Sequence, residues 1–324
     1  MSYGLRLRAG GRKPIDISEV SYGTSLFFGR PQRPDPFNQR LFCQFDWSGF
    51  SKDTAKIAIH SGADRFNWSG NVSIVDDGLW LERPLDYATD NDTPTGLPWC
   101  NIMVTALPAP TGDTYGLRIS NSRNVNPILL PTRCIQTLSY ATVIQGAISS
   151  FDIPGLIDSD IIFVGAGMVG GNFSCVRGMS RYETNNLHFT GDTNGVRILA
   201  FRNSGAARVG GYGMRIVNKS GVISISNAQP PLLIKDILSD YTHALPYRAG
   251  FTPSITGTAG WYSGMYWRKS TRGIFSAATG ESSSSIWEGE HWREDSVYAD
   301  GNYQCRSVIN CIDMDMYPEH FGGG

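Results

Sequence analysis

Tyr3-Gly4-Leu5-Arg6-Leu7 stands near the start of the sequence, and the same pattern returns as Tyr115-Gly116-Leu117-Arg118-Ile119 and as Tyr212-Gly213-Met214-Arg215-Ile216. Each copy is followed by a short polar stretch containing Gly or Asn. A second apolar run then comes in each case: Ile15-Asp16-Ile17, Ile128-Leu129-Leu130 and Ile223-Ser224-Ile225. Apolar residues at i and i+2, a turn-forming stretch, and a second such run make a β-hairpin signature, because successive strand side chains point to opposite faces. The starts lie 112 and 97 residues apart, a period long enough for a whole β domain to follow each hairpin.

A second block supports this. Phe45-Asp46-Trp47-Ser48-Gly49-Phe50 aligns with Phe151-Asp152-Ile153-Pro154-Gly155-Leu156, and both lead into a strand, Ile57-Ala58-Ile59 or Ile161-Ile162-Phe163-Val164. Leu79-Trp80-Leu81 then matches Leu187-His188-Phe189, and Ile102-Met103-Val104 matches Val196-Arg197-Ile198-Leu199, in the same order. Short strands separated by Gly, Pro, Asn and Asp turns predict an all-β chain of tandem β-sandwich-like domains with very little helix. The expected limits are 1–114, 115–211 and 212–324. The third segment keeps the hairpin and then diverges into an aromatic-rich stretch, so it reads as a modified copy. One helix is expected, over Leu232 to Leu238, because Pro230-Pro231 suits a helix start.

The 324 residues suffice for two or three domains, and 37 glycines, about 11% against a usual 7%, fit a turn-rich β protein. With 28 basic and 29 acidic side chains the net charge is -1, which provides no overall electrostatic drive toward nucleic acid or an anionic membrane. No window approaches the apolar length of a membrane helix, so no membrane insertion is expected. The six cysteines have no C-x-x-C spacing and read as reduced and mostly buried, and synthesis in the cytoplasm is expected.

Several stretches carry a chemical reading beside a plain one. Gly165-Ala166-Gly167-Met168-Val169-Gly170 comes after a strand and matches the glycine fingerprint of dinucleotide-binding sites. The next eight residues, Gly171 to Gly178, make a poor helix and no βαβ succession surrounds them, so a Gly-rich strand end is expected. Glu288, Glu290, Glu294 and Asp295 could supply paired carboxylates for glycoside hydrolysis, or form a polar turn. Asp86, Asp90 and Asp92 offer oxygens for Ca²⁺ without EF-hand spacing. Histidines 60, 188, 243, 291 and 320 fall singly. No catalytic residue, metal ligand or cofactor is expected.

Two sets remain as interface candidates. Arg6, Arg118 and Arg215 hold one hairpin position, where they either pair with carboxylates across a contact or blunt a strand edge. Trp261, Tyr262, Tyr266, Trp267, Trp287 and Trp292 crowd the third segment; core filling, a protein interface and sugar stacking all suit them.

At the Tyr-Gly-hydrophobic-Arg hairpins the sequence resembles structural proteins encoded in the tail modules of tailed bacteriophages. The resemblance covers residues 3 to 17 and 212 to 225 best. It implies a non-enzymatic virion protein of the tail tip or baseplate, assembling as a homo-oligomer with other phage tail proteins after synthesis in the host cytoplasm, and contributing to host attachment through a bacterial surface glycan or protein. A carbohydrate-binding receptor module and a polysaccharide-degrading enzyme are the alternatives.

Overall fold

A computed structural model describes residues 6–7, 15–16, 25–29, 31–32, 40–48, 50–61, 71–82, 100–107, 117–118, 128–129, 136–167, 169, 171–178, 186–203, 215–217, 223–226, 229–263, 266–296, 303–304 and 307–321. Among them the chain is all-β, with two single 3-10 turns at Lys52–Thr54 and Met314–Met316. No helix among the described residues is long and apolar enough to cross a membrane.

All three expected hairpins form, each an antiparallel pair: β1 (Arg6–Leu7) with β2 (Ile15–Asp16), β9 (Leu117–Arg118) with β10 (Ile128–Leu129), and β17 (Arg215–Val217) with β18 (Ile223–Ser226). The first repeat continues with β3 (Phe27–Gly29), β4 (Arg40–Gln44), β5 (Lys56–Ser61), β6 (Val72–Val75), β7 (Gly78–Glu82) and β8 (Cys100–Thr105). They form two three-stranded sheets, ordered β3-β8-β5 and β4-β7-β6. Numbered within the repeat, the plan is 1-6-3 facing 2-5-4.

The second repeat uses the same plan. Its strands are β11 (Thr137–Val143), β12 (Ser150–Asp152), β13 (Ile161–Gly165), β14 (Asn172–Arg177), β15 (Asn186–Gly191) and β16 (Arg197–Arg202), ordered β11-β16-β13 and β12-β15-β14. The block after strand 2 also repeats in three dimensions. Phe50 N–H donates to Trp47 O at 2.8 Å and Leu156 N–H donates to Ile153 O at 3.2 Å, and all four side chains are buried.

The third segment proves to be a full repeat rather than a remnant. It comprises β19 (Asp236–Leu238), β20 (His243–Leu245), β21 (Ala249–Phe251), β22 (Ile255–Ser263), β23 (Tyr266–Gly280), β24 (Ser283–Ser296), β25 (Tyr303–Gln304) and β26 (Ile309–Asp313). Its 1-6-3 sheet is β19-β26-β21 and its 2-5-4 sheet is β20-β24-β23. Two added strands, β22 and β25, and the great length of β23 and β24 disguise the pattern in the sequence.

The expected division at 211/212 does not separate two domains, because the second and third repeats share both sheets. Strand 3 of one pairs with strand 3 of the other (Val164↔Phe251, Gly165↔Gly250), and strand 4 pairs with strand 4 (Asn172↔Ala277, Phe173↔Ser276, Ser174↔Phe275), both antiparallel. The six-stranded sheet therefore reads 1-6-3-3-6-1, and the second sheet runs 2-5-4-4-5-2 with β22 and β25 attached. This is a local twofold arrangement inside one chain. Between the two sheets lies a single core to which both repeats contribute, with Val164, Phe173, Phe189 and Ile198 from one and Phe251, Ile274, Ile286 and Cys311 from the other. Phe173 is fully buried, its ring 5.8 Å from that of Phe251 and 6.4 Å from that of Phe189.

The first repeat has its own core, with Leu41, Trp47, Ile57, Ile59, Leu79 and Val104 among its members. Strand alternation turns Ala58 and Met103 to the other face, where they join the buried cluster of Phe163, Phe201, Leu233 and Met314 on the outside of the fused pair's six-stranded sheet. Polar contacts fix this packing: Gln136 Nε2 donates to Ser25 Oγ (2.8 Å), Asn101 Nδ2 to Asp158 O (2.7 Å) and Val308 N–H to Ile57 O (3.0 Å).

The helix expected over Leu232 to Leu238 is extended chain instead. Leu138 N–H donates to Pro230 O, Leu232 N–H to Gln136 O and Lys235 N–H to Cys311 O, and β19 pairs with β26. Leu232, Leu233 and Ile234 are all buried, and three consecutive buried side chains suit a strand covered on both faces better than a one-sided helix.

Candidate functional site

The most distinctive construction is a four-stranded arm on the third repeat. Within the sandwich β23 pairs with β14 at Phe275 to Ala277, and β24 with β20 at Ser284 to Ile286. Further along, β23 pairs with β24 on one side and β22 on the other, and β25 adds to β22 at Gly257 and Thr258. Residues 257–272 thus find strand partners only within the arm, among the described residues.

Register sorts the aromatic candidates onto two faces. Tyr262 lies opposite Trp267, Thr271 opposite Trp292 and Phe275 opposite Trp287. Residues 267, 271 and 275 alternate alike along β23, so the register places positions 262, 267, 292, 287 and 275 on one side of the ladder, with the side chains of Tyr262, Trp267 and Trp292 outside the described residues. That face points away from the sandwich core, because the alternate residues Ile274, Ala278 and Ile286 are the ones in the core. At its base Phe275 and Trp287 stack, both half-buried, with centroids 5.9 Å apart and planes at 22°. Gly289 makes room for this: a Cβ there would meet the Phe275 ring at 2.9 Å. From Phe275 to Trp267 the row spans about 26 Å at about 3.3 Å per residue. Trp261, opposite Arg268, and Tyr266, opposite Ser263, take the other face.

A clasp holds the base of the arm. The register slips between Ile255 and Gly257, leaving Thr256 as a buried bulge whose Oγ1 donates to Glu288 at 2.5 Å. Arg272 Nη1 reaches the other Glu288 oxygen at 3.4 Å. The Glu288 carboxylate is therefore committed to positioning the bulge. Glu290 stands two residues away in the ladder opposite Arg272, and Glu294 and Asp295 oppose Lys269 and Arg268. Such cross-strand opposite charges support a sheet.

The glycine fingerprint has a structural explanation. Among the described residues β14 is the next element after β13, and no helix comes after the glycines. Gly165 faces Gly250 across the seam, where a Cβ on either would press against Met314. At Gly167 a Cβ would fall 1.4 Å from the Gly195 carbonyl oxygen. These glycines serve close backbone approach.

Charged groups tie down the segment after β26. Lys235 Nζ lies 3.1 Å from Asp313, whose side chain is fully buried, and 4.3 Å from the Tyr247 ring centroid. Tyr247 OH donates to Asp236 at 2.6 Å, and burial pushes the Tyr247 hydroxyl pKa far up. Asp315 pairs with Arg248 of the third repeat at 2.8 Å and lies 3.7 Å from Arg197 of the second. Arg197 Nη2 also donates to Tyr317 O at 2.8 Å, so these ions reinforce the seam.

Arg6, Arg118 and Arg215 lie opposite Asp16, Ile128 and Ser226 in their hairpins, and their side chains fall outside the described residues. Asp86, Asp90 and Asp92 also lie outside them. His60, His188, His243 and His291 sit on four different strands, and His320 lies beyond the last turn. Among the described residues no three His, Cys, Asp or Glu side chains are grouped to hold a metal. Cys43, Cys175 and Cys311 are free and buried, and burial raises all three thiol pKa values. The reading of the sequence missed the arm itself, because residues 266–296 carry no regular alternation of apolar and polar side chains. No known protein family, curated protein or solved structure matches the chain.

Proposed function

We propose that this chain is a structural protein of a bacteriophage tail tip or baseplate, in which the sandwiches form the scaffold and the arm of the third repeat engages another tail subunit or the host surface. The observation that carries the reading is the arm, in which two added strands, β22 and β25, extend the sheet beyond the sandwich along the lengthened β23 and β24, with aromatic positions aligned on one side of its ladder. Large aromatic side chains provide much contact area at low entropic cost, as interface anchors do. The hairpin resemblance supplies the tail assignment. The test is fractionation of phage particles from an infected culture. The chain should be recovered by mass spectrometry in tail-containing particles, and an arm-directed antibody should label the tail end in electron micrographs. Recovery only in the particle-free fraction would refute the assignment.

A second reading, recognition of a surface glycan, draws on the same row, since sugar rings stack on Trp and Tyr faces. Register makes it specific: on a glycan array Trp267→Ala should abolish binding, whereas Trp261→Ala, on the opposite face, should leave it. Equal effects of both would argue against stacking along the row.

A further inference from the structure

Lysine–aspartate pairs stand in opposite surroundings in this chain. Lys52 and Asp76 of the first repeat meet at 2.8 Å, with the Asp76 side chain fully exposed. Lys235 and Asp313 of the third repeat meet at 3.1 Å, where the Asp313 side chain is 0% exposed and that of Lys235 22%. Lys235 lies just before β19, and its backbone N–H donates to Cys311 O, which brings the residue to the end of β26. The Tyr247 ring covers its ammonium at 4.3 Å, and Tyr247 is itself anchored by its hydroxyl on Asp236 at 2.6 Å. The two Asp313 oxygens are placed differently. Oδ2 faces Lys235 Nζ, whereas Oδ1 accepts the Asp315 N–H at 3.1 Å. The chain neighbours Cys311, Ile312 and Met314, and the covering Tyr247, are all buried.

We propose that Lys235 and Asp313 condense to an isopeptide bond that ties the start of β19 to the end of β26. A nucleophile and a carboxyl group held in contact react as one unit, at an effective concentration far above any in solution. The step balances within the pair. The Lys235 ammonium passes a proton to Oδ2, leaving a neutral amine and a neutral acid, a form that is less disfavoured against the ionic one away from water than in it. Nζ then attacks Cγ, and the negative charge that develops on Oδ1 is received by the Asp315 N–H, as in an oxyanion hole. A second proton moves from the nitrogen to Oδ2, the Cγ–Oδ2 bond breaks, and water leaves. The product is an amide between Nζ and Cγ whose oxygen, Oδ1, keeps its Asp315 donor. Lys52 and Asp76 do not follow, because water solvates both charges and an exposed pair is loosely held. The bond would close a loop over residues 235–313, which contains the whole arm, so the arm could not be drawn out by unzipping β19 from β26. This proposal is independent of the tail assignment.

Intact-mass spectrometry of the denatured full chain tests it, together with fragmentation of its tryptic peptides. The folded protein is first held at neutral pH so that the reaction finishes. The expected mass is one water below that of the sequence, and the loss should map to a branched peptide joining Lys235 to Asp313. Lys235→Arg keeps the positive charge and removes the nucleophile, so its mass should match its own sequence. Lys52→Arg should still show the loss of one water. The unsubstituted chain needs no variant, so a misfolded Lys235→Arg protein would not obscure the outcome. A mass equal to the full sequence, or a water loss that maps away from 235 and 313, would overturn the proposal.

Discussion

The first repeat and the fused pair are built from one six-stranded plan, but they end differently at strands 3 and 4. In the pair those strands meet their counterparts, so two sandwiches share two sheets and one core. In the first repeat they form the rim of a self-contained core, and the repeat attaches instead through the outer face of its 1-6-3 sheet. Edge chemistry therefore sets how a repeat is used, while topology stays constant. An unpaired edge presents N–H and C=O groups to any chain able to pair, and joining two edges removes both.

The contrast can be broken most forcefully at the seam. Phe173→Ala should cost about 3–5 kcal/mol in denaturant unfolding, because it empties a site packed by rings from both repeats. Ile74→Ala, at the corresponding strand of the first repeat, should cost roughly 1 kcal/mol because the side chain is already partly in water. Equal losses would mean that the two edges are not differently used.

Next comes Gly167→Ala, where the new methyl meets the Gly195 backbone and neither chain can yield cheaply. A loss of about 3 kcal/mol is expected in the same assay. Gly146→Ala serves as a comparison, because a Cβ there meets nothing and only its positive φ of +81° opposes the change, costing about 1 kcal/mol.

Ion pairs sharpen the comparison further. Asp160 is 1% exposed and receives Arg202 in two bonds, Nε to Oδ1 at 2.7 Å and Nη2 to Oδ2 at 2.6 Å, with Ile157 N–H on Oδ2. Arg202→Ala should cost about 2 kcal/mol, below the 3–5 of a fully buried pair because a third of the arginine is in water. In the first repeat Lys52 and Asp76 pair at 2.8 Å on the surface. Lys52 holds the Asp76 carboxyl below its ordinary pKa. That pair's stabilisation is present above the unfolded carboxylate pKa and is lost as pH falls through the folded value. Exposure and salt leave it weak, so Lys52→Ala should not change the unfolding midpoint measurably near neutral pH.

Much of this organisation was legible in the sequence because it is local. The three hairpins and the turns at Phe50 and Leu156 arise from spacing and turn chemistry over a few residues. The third repeat was obscured because β22 intervenes between strands 3 and 4, and β23 and β24 run far past the usual length. The segment 232–238 misled because proline suits helix starts and strands alike, and only its partners on β11 and β26 decided the matter. The aromatic candidates were visible as a cluster, but their division into two faces depended on bulges that a sequence pattern does not reveal.

By itself the sequence determined the all-β class, the hairpins and the order of apolar strands, because alternation and turn propensity act between neighbours along the chain. The tertiary structure alone decided that two repeats merge and one stands apart, that Gly165 and Gly167 serve close packing, and that five aromatic positions align on one side of the arm's ladder. Those outcomes depend on which strand edges meet across roughly a hundred residues, and edge pairing is selected by the shape and burial of the assembled sheets.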